Sequence, residues 1–212
     1  MISLAPDLVL AADDAGPAAT MELLAEAGVP IVVAPATETI DDVPSKIRFV
    51  GEAIGDAPAG DALAAEIAAE VAKIRAAVRN IESAPRVLFI LSVRGGAPLV
   101  GGAGTSAHMM IVEAGATNVA ADLDGWKQMN SEAIITAAPD VVVMTTAHSE
   151  RLGGLEEVLA RPDIALTPAG AAKRGVSLDA MLLLGMGPRV AIGIEALARA
   201  VHPAATLKDA GL

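Results

Sequence analysis

The chain has 212 residues, room for one or two domains, and is 53% hydrophobic with one Trp, two Phe and no Tyr, so Ala, Val, Leu and Ile must build its core. A formal net charge of −11 argues against nucleic acid and against anionic membrane surfaces, since both reward clustered Lys and Arg. The lack of cysteine excludes disulfides, thiolate catalysis and Cys-held metals, and no run of about 18 apolar residues is present to span a bilayer.

In chain order, Leu8-Val9-Leu10 reads as a strand, 17–27 as a helix, Ile31-Val32-Val33 as a strand and 41–54 as a helix. A long helix is predicted over 58–81, rich in Ala, Glu, Lys and Leu, with Leu63, Ile67, Val71 and Ile74 on one stripe. Its rise makes a rod of roughly 36 Å. Val87-Leu88-Phe89-Ile90-Leu91 is the next strand, followed by two Gly-rich runs flanking a short strand and a helix over 107–114. A helix over 131–137, a strand at Val141-Val142-Val143-Met144 and a helix over 154–160 come next. The apolar run 181–184 reads as a last strand and 189–201 as a last helix. The strand runs are continuously apolar rather than alternating, as in parallel sheets buried on both faces. Strand–helix alternation makes the chain an α/β protein.

Residues 5–36 align without a gap to 138–169: Ala5-Pro6-Asp7 with Ala138-Pro139-Asp140, Val9 with Val142, Ile31 with Ile164, and Pro35-Ala36 with Pro168-Ala169. Each copy reads as Ala-Pro-Asp, strand, helix, strand, Pro-Ala, which points to two related lobes. The domains expected are a partial N-terminal α/β lobe (1–56), a linking helix (57–84) and a C-terminal α/β lobe (85–212). The second copy is preceded by a half-lobe and the first only by 1–4, so the first lobe is expected to lack its N-terminal half. No signal peptide opens the chain, and any export signal is expected upstream of Met1.

The run Gly101-Gly102-Ala103-Gly104-Thr105-Ser106 opens a helix with Thr105 or Ser106 as N-cap, and helix N-termini accept anions. It lacks the phosphate-loop lysine and the full dinucleotide fingerprint. In Gly185-Met186-Gly187-Pro188-Arg189, Pro188 suits a helix start and Arg189 is placed at a strand's carboxyl end, where ligands bind and an arginine can grip a carboxylate. Trp126, in the polar stretch Gly125-Trp126-Lys127-Gln128-Met129, is a candidate for ligand stacking or for packing. His148, after the strand 141–144, is a candidate metal ligand, while His108 and His202 read as structural. Asp13, Asp14, Glu132, Glu156 and Glu157 read as rim or solvated charges. No catalytic constellation is present, and the two-lobe layout favours a binding protein over an enzyme.

The order Leu4-Ala5-Pro6-Asp7, long helix, Pro85-Arg86-Val87-Leu88-Phe89-Ile90-Leu91-Ser92, Gly104-Thr105-Ser106-Ala107, Gly115-Ala116-Thr117-Asn118-Val119, Leu166-Thr167-Pro168-Ala169-Gly170 and Leu184-Gly185-Met186-Gly187-Pro188-Arg189 resembles the periplasmic haem-binding proteins of bacterial ABC importers. The resemblance spans about 3–203. It implies two Rossmann-like lobes with parallel sheets joined by one long helix, haem held in the interlobe cleft, and delivery to an inner-membrane permease. It implies Arg189 as partner of a propionate or ligand tyrosinate. Arg94, Thr105, Trp126, Lys127, Met129 and Met186 would line the cleft. Asp13 or Asp14 and Glu156 or Glu157 would dock the permease. The family's iron ligand is a Tyr, sometimes joined by a His after the Leu-Ser of the strand following the linker. This chain has no Tyr, and Val93-Arg94 follows Leu91-Ser92. The open alternatives are a ferric siderophore, cobalamin or metal ion in the same fold, and, in another class, a nucleotide-using α/β enzyme. Self-association through the incomplete lobe is also expected, because open strand edges template pairing.

Overall fold

Short apolar runs punctuated by Pro, Asp and Gly become strands here, and the Ala-rich stretches between them become helices. The computed structural model describes residues 4–13, 15–81 and 83–202. The chain forms two compact units, Met1–Ala68 and Ala69–Leu212.

In the first unit, strands β1 (Val9–Ala11) and β2 (Ile31–Val33) pair in parallel with Val9 opposite Ile31, and α1 (Ala18–Glu26) connects them. Helix α2 (Asp42–Ala53) follows, and α3 (Ala57–Val78) begins in this unit and ends in the other. Leu24, Val43, Ile47 and Ala64 are buried. A Cβ on Gly51 would lie 2.8 Å from the Gly60 Cα, so α2 and the start of α3 meet through glycine backbone. That crossing explains a departure from expectation in α3. Leu63 is 37% exposed, and Ala64, one turn beyond Gly60 on the same face, is buried in its place. Where two helices approach this closely, alanine fits and leucine does not. The buried stripe runs Ala64, Ile67, Val71, Ile74, Ala77.

The second unit is built on a sheet of order β6-β4-β3-β7-β8, with β5 also paired to β3. Its elements are β3 (Arg86–Arg94), β4 (Ala97–Gly101), α4 (Ser106–Glu113), β5 (Thr117–Asn118), β6 (Trp126–Gln128), α5 (Ser131–Ala137), β7 (Val141–Thr145), α6 (Thr146–Arg151), α7 (Leu155–Leu159), α8 (Pro162–Ala165), α9 (Pro168–Ala171), β8 (Gly175–Leu178), α10 (Ala180–Leu183) and α11 (Val190–Val201). Strands β3, β5, β7 and β8 are parallel, with Ile90 opposite Met144 and Met144 opposite Ser177. All five residues of β7 are buried, as a continuous apolar run in a parallel sheet requires. Strands β4 and β6 extend the sheet antiparallel. The core gathers Leu88, Ile90, Val100, Ile134, Val142, Met144, Val158 and Ile164.

The internal repeat holds at its start and fails at its end. Ala5 and Ala138 share a left-handed backbone (φ 45° and 44°) before the matching Pro-Asp pairs, and β1 corresponds to β7. Ile164, matched to Ile31 of β2, lies instead in helix α8, where Pro162 occupies the first turn and pre-sets a helical φ. The returning strand is β8, eleven residues later in the chain. The run 181–184 is likewise helical rather than extended. The Asp179 carboxylate accepts from the N–H groups of Met181 (2.9 Å) and Leu182 (3.3 Å) and starts α10 as an N-cap.

Candidate functional site

In an open α/β sheet, ligands bind beyond the carboxyl ends of the strands. In the second unit, β3 runs past its pairing with β7 to Arg94, which turns through Gly95-Gly96 into β4. Arg94 pairs with Ala97 in the β3–β4 ladder and is exposed, and its guanidinium has no hydrogen-bond or ion-pair partner among the described residues. Arg161, absent from the sequence-based candidates, organises this hairpin. Its guanidinium grips the buried Asp163 carboxylate (3.1 and 2.8 Å) and donates to the Gly96 carbonyl at 2.8 Å. The bond spans 65 residues, so no local pattern could have shown it.

Arg189 is placed by α11. Arg174, just before β8, donates to the Val201 carbonyl at 2.7 Å, which pins the end of α11 to the amino end of the strand. Twelve helical residues rise about 18 Å, so the helix start lies at the carboxyl end. Arg189, its N-cap, is exposed; its carbonyl accepts from the Gly193 N–H at 3.0 Å, while its guanidinium has no partner among the described residues. It does not follow a strand directly, as the sequence suggested, because α10 intervenes. Met186 is buried with a left-handed backbone (φ 41°), a conformation strained for a side chain with a Cβ.

His148 sits in α6, directly after β7, with Nδ1 2.8 Å from the buried Thr145 hydroxyl. That contact leaves Nε2 as the open ring nitrogen. No group of three metal-ligating side chains occurs among the described residues.

Trp126 lies in edge strand β6 rather than in a loop, half-buried, its ring 5.9 Å from that of Phe89 at 60°. Lys127, beside it, is exposed, and Met129 is buried in the core. Thr105 caps α4 as expected: its buried hydroxyl accepts from the His108 N–H (3.2 Å) and donates to the Gly102 carbonyl (2.7 Å). Both bonds turn the hydroxyl inward. The Ser92 hydroxyl, two residues before Arg94, is buried without a hydrogen-bond partner among the described residues.

Glu156 and Glu157 are exposed in the first turn of α7, on the rim of a concavity of about 530 Å³ floored by Leu155, Leu159 and Ala165. This hollow abuts Gly175, the first residue of β8, at the opposite end of the strand from Arg189. Asp13 is exposed beyond the end of β1, and Asp14 lies outside the described residues. In the same unit, Asp42 accepts at the start of α2 from the Thr39 hydroxyl (2.8 Å) and from the N–H groups of Thr39 (2.7 Å) and Glu38 (3.1 Å). Those bonds, the Thr39 hydroxyl foremost, hold its carboxyl below the ordinary aspartate range.

The periplasmic binding protein family model matches residues 1–182. The chain belongs to the periplasmic binding protein family. It is 36% identical to the periplasmic heme-binding protein RhuT from Roseiflexus sp. RS-1 in its apo form, with a TM-score of 0.89, covering 100% of this chain and 79% of that one. It is 28% identical over 210 residues to the uncharacterized ABC transporter substrate-binding lipoprotein YvrC of Bacillus subtilis, covering 96% of this chain and 64% of that protein. It is 31% identical over 208 residues to a cobalamin-binding protein of Halobacterium salinarum, covering 95% of this chain and 55% of the relative. The chain thus spans less than two thirds of the length of these two curated relatives. Of these three, YvrC is named as the substrate-binding lipoprotein of an ABC transporter, and the other two are named for the ligand they bind.

Proposed function

We propose that this chain is the haem-binding component of an ABC-type importer, working in the periplasm and handing haem to an inner-membrane permease. The observation that carries the reading is the pair Arg94 and Arg189. Both are exposed, neither guanidinium has a partner among the described residues, and both stand at the carboxyl end of the second unit's sheet. Haem brings two propionate carboxylates, and a guanidinium meets a carboxylate with two parallel hydrogen bonds. Trp126, Lys127 and Met186 would supply further lining.

With no Tyr in the chain, His148 is the iron-ligand candidate of this reading, through Nε2. A ligating imidazole is usually oriented by donating its other ring N–H, and the Thr145 hydroxyl oxygen stands 2.8 Å from Nδ1 to accept it. Asp13 in the first unit, and Glu156 and Glu157 in the second, would dock the permease. Charge reversal at Glu156 and Glu157 should abolish transport and leave haem affinity unchanged.

The test is a haemin titration followed at the Soret band. Saturable binding is expected, weakened about tenfold by Arg94→Ala and by Arg189→Ala, as one charge-assisted contact predicts. Saturable cobalamin binding with no Soret response would overturn the haem reading in favour of cobalamin, which the Halobacterium relative at 31% identity supports.

A further inference from the structure

The first unit carries a further basic group at a strand edge that the haem reading leaves without a task. Lys46 lies one turn into α2 and is half-buried. Its ammonium donates to the Thr37 hydroxyl at 2.9 Å and has no carboxylate within ion-pair distance among the described residues. In a chain of net charge −11, a partly buried cation without a carboxylate is unusual, because buried charges are ordinarily paired. Lys46 forms one wall of a concavity of about 220 Å³ whose other walls are Ala12, Asp13, Ala34 and Pro35. These residues follow the carboxyl ends of β1 and β2, the edge at which open α/β sheets receive ligands.

We infer that this concavity is an anion subsite in which Lys46 receives a carboxylate arm of the transported ligand. The volume equals that of roughly seven water molecules, enough for a carboxylate arm and a few waters and too small for a macrocycle. The Thr37 hydroxyl holds the ammonium in place, which leaves its other two N–H bonds for the anion. The small side chains of Ala12, Ala34 and Pro35 open the approach, and Asp13, on the same rim, opposes the anion. The site deepens the haem proposal and rests on it for the source of the carboxylate, a propionate.

Two titrations test it. In the first, haemin and its dimethyl ester, which has no free carboxylate, are titrated into this chain and its Lys46→Gln variant at the Soret band. Gln removes the charge and keeps a polar side chain at the position. Haemin should bind the variant about tenfold more weakly, with the ester unaffected. In the second, sodium acetate at millimolar concentration is followed by ¹H–¹⁵N NMR. Amide shifts at Ala12, Ala34 and Lys46 should saturate in the wild type, vanish in Lys46→Gln, and saturate at lower acetate in Asp13→Asn. Acetate shifts at none of these amides, or equal haemin affinity for Lys46→Gln and wild type, would overturn the subsite. A wild type that binds acetate at Lys46 and no haemin would leave the subsite standing and remove the haem reading.

Discussion

Gly193, in the first turns of α11, sets two effects of one methyl group against each other. In an isolated helix, Gly193→Ala should stabilise by about 1 kcal/mol, the propensity difference between the two residues. In the fold, the added Cβ would lie 2.3 Å from the Leu182 carbonyl oxygen and 2.9 Å from the Met110 Cε. The methionine tip can move, but the carbonyl belongs to α10. Restoring an ordinary contact of 3.4 Å requires α10 and α11 to part by about 1 Å. Overpacking against backbone costs about 3 kcal/mol at the upper end of its usual range. The net expectation is a destabilisation of about 2 kcal/mol, a fall of roughly 5 °C in melting temperature. Urea denaturation followed by circular dichroism reads this directly. The segment joining the two helices carries Met186 and Arg189, so haemin affinity should fall with stability. A Gly193→Ala variant as stable as the wild type, or more so, would refute the packing argument and leave propensity as the stronger effect.

Three further outcomes follow from the geometry. Thr105→Val should cost about 1 kcal/mol by removing the α4 cap, with Thr105→Ser restoring most of it in the same melts and haemin affinity set by the remaining fold rather than by the hydroxyl. Glu113→Gln weakens the two-pronged contact that Arg75 makes with it (2.6 Å for each prong), both side chains being mostly buried, and should cost about 1–2 kcal/mol in denaturant titrations, less at high salt. Asp42 has a depressed carboxyl pKa in the folded chain, so its contribution to stability is fully present above the ordinary aspartate range and disappears as pH falls through the lower folded value. Unfolding measured across acidic pH should therefore show a shallower decline for Asp42→Asn than for the wild type; identical slopes would contradict the assignment.

Much of the fold was legible because local chemistry and tertiary demand agree. Val141-Val142-Val143-Met144 is apolar without alternation, and the strand it forms is buried on both faces. Thr105 is a good N-cap next to a glycine run, and it caps. Matching Ala-Pro-Asp punctuation produced matching left-handed alanines at 5 and 138. The strands β1, β2, β3 and β7 and the long helix needed only such short-range patterns.

Three decisions belonged to the tertiary structure alone. Gly175–Leu178 is only four residues long, and pairing with β7 made it the strand that the sequence pattern places at 181–184. Trp126 had no neighbour within its own segment to declare it a packing residue, and its partner Phe89 lies on the other side of β4 in the sheet. The hairpin that carries Arg94 is held by Arg161 from far along the chain. Periodicity and capping act over a turn or two of chain, so a sequence states them directly. Strand partners, close helix crossings and hydrogen bonds between distant segments depend on which surfaces are brought together, and that is decided only when the core is buried.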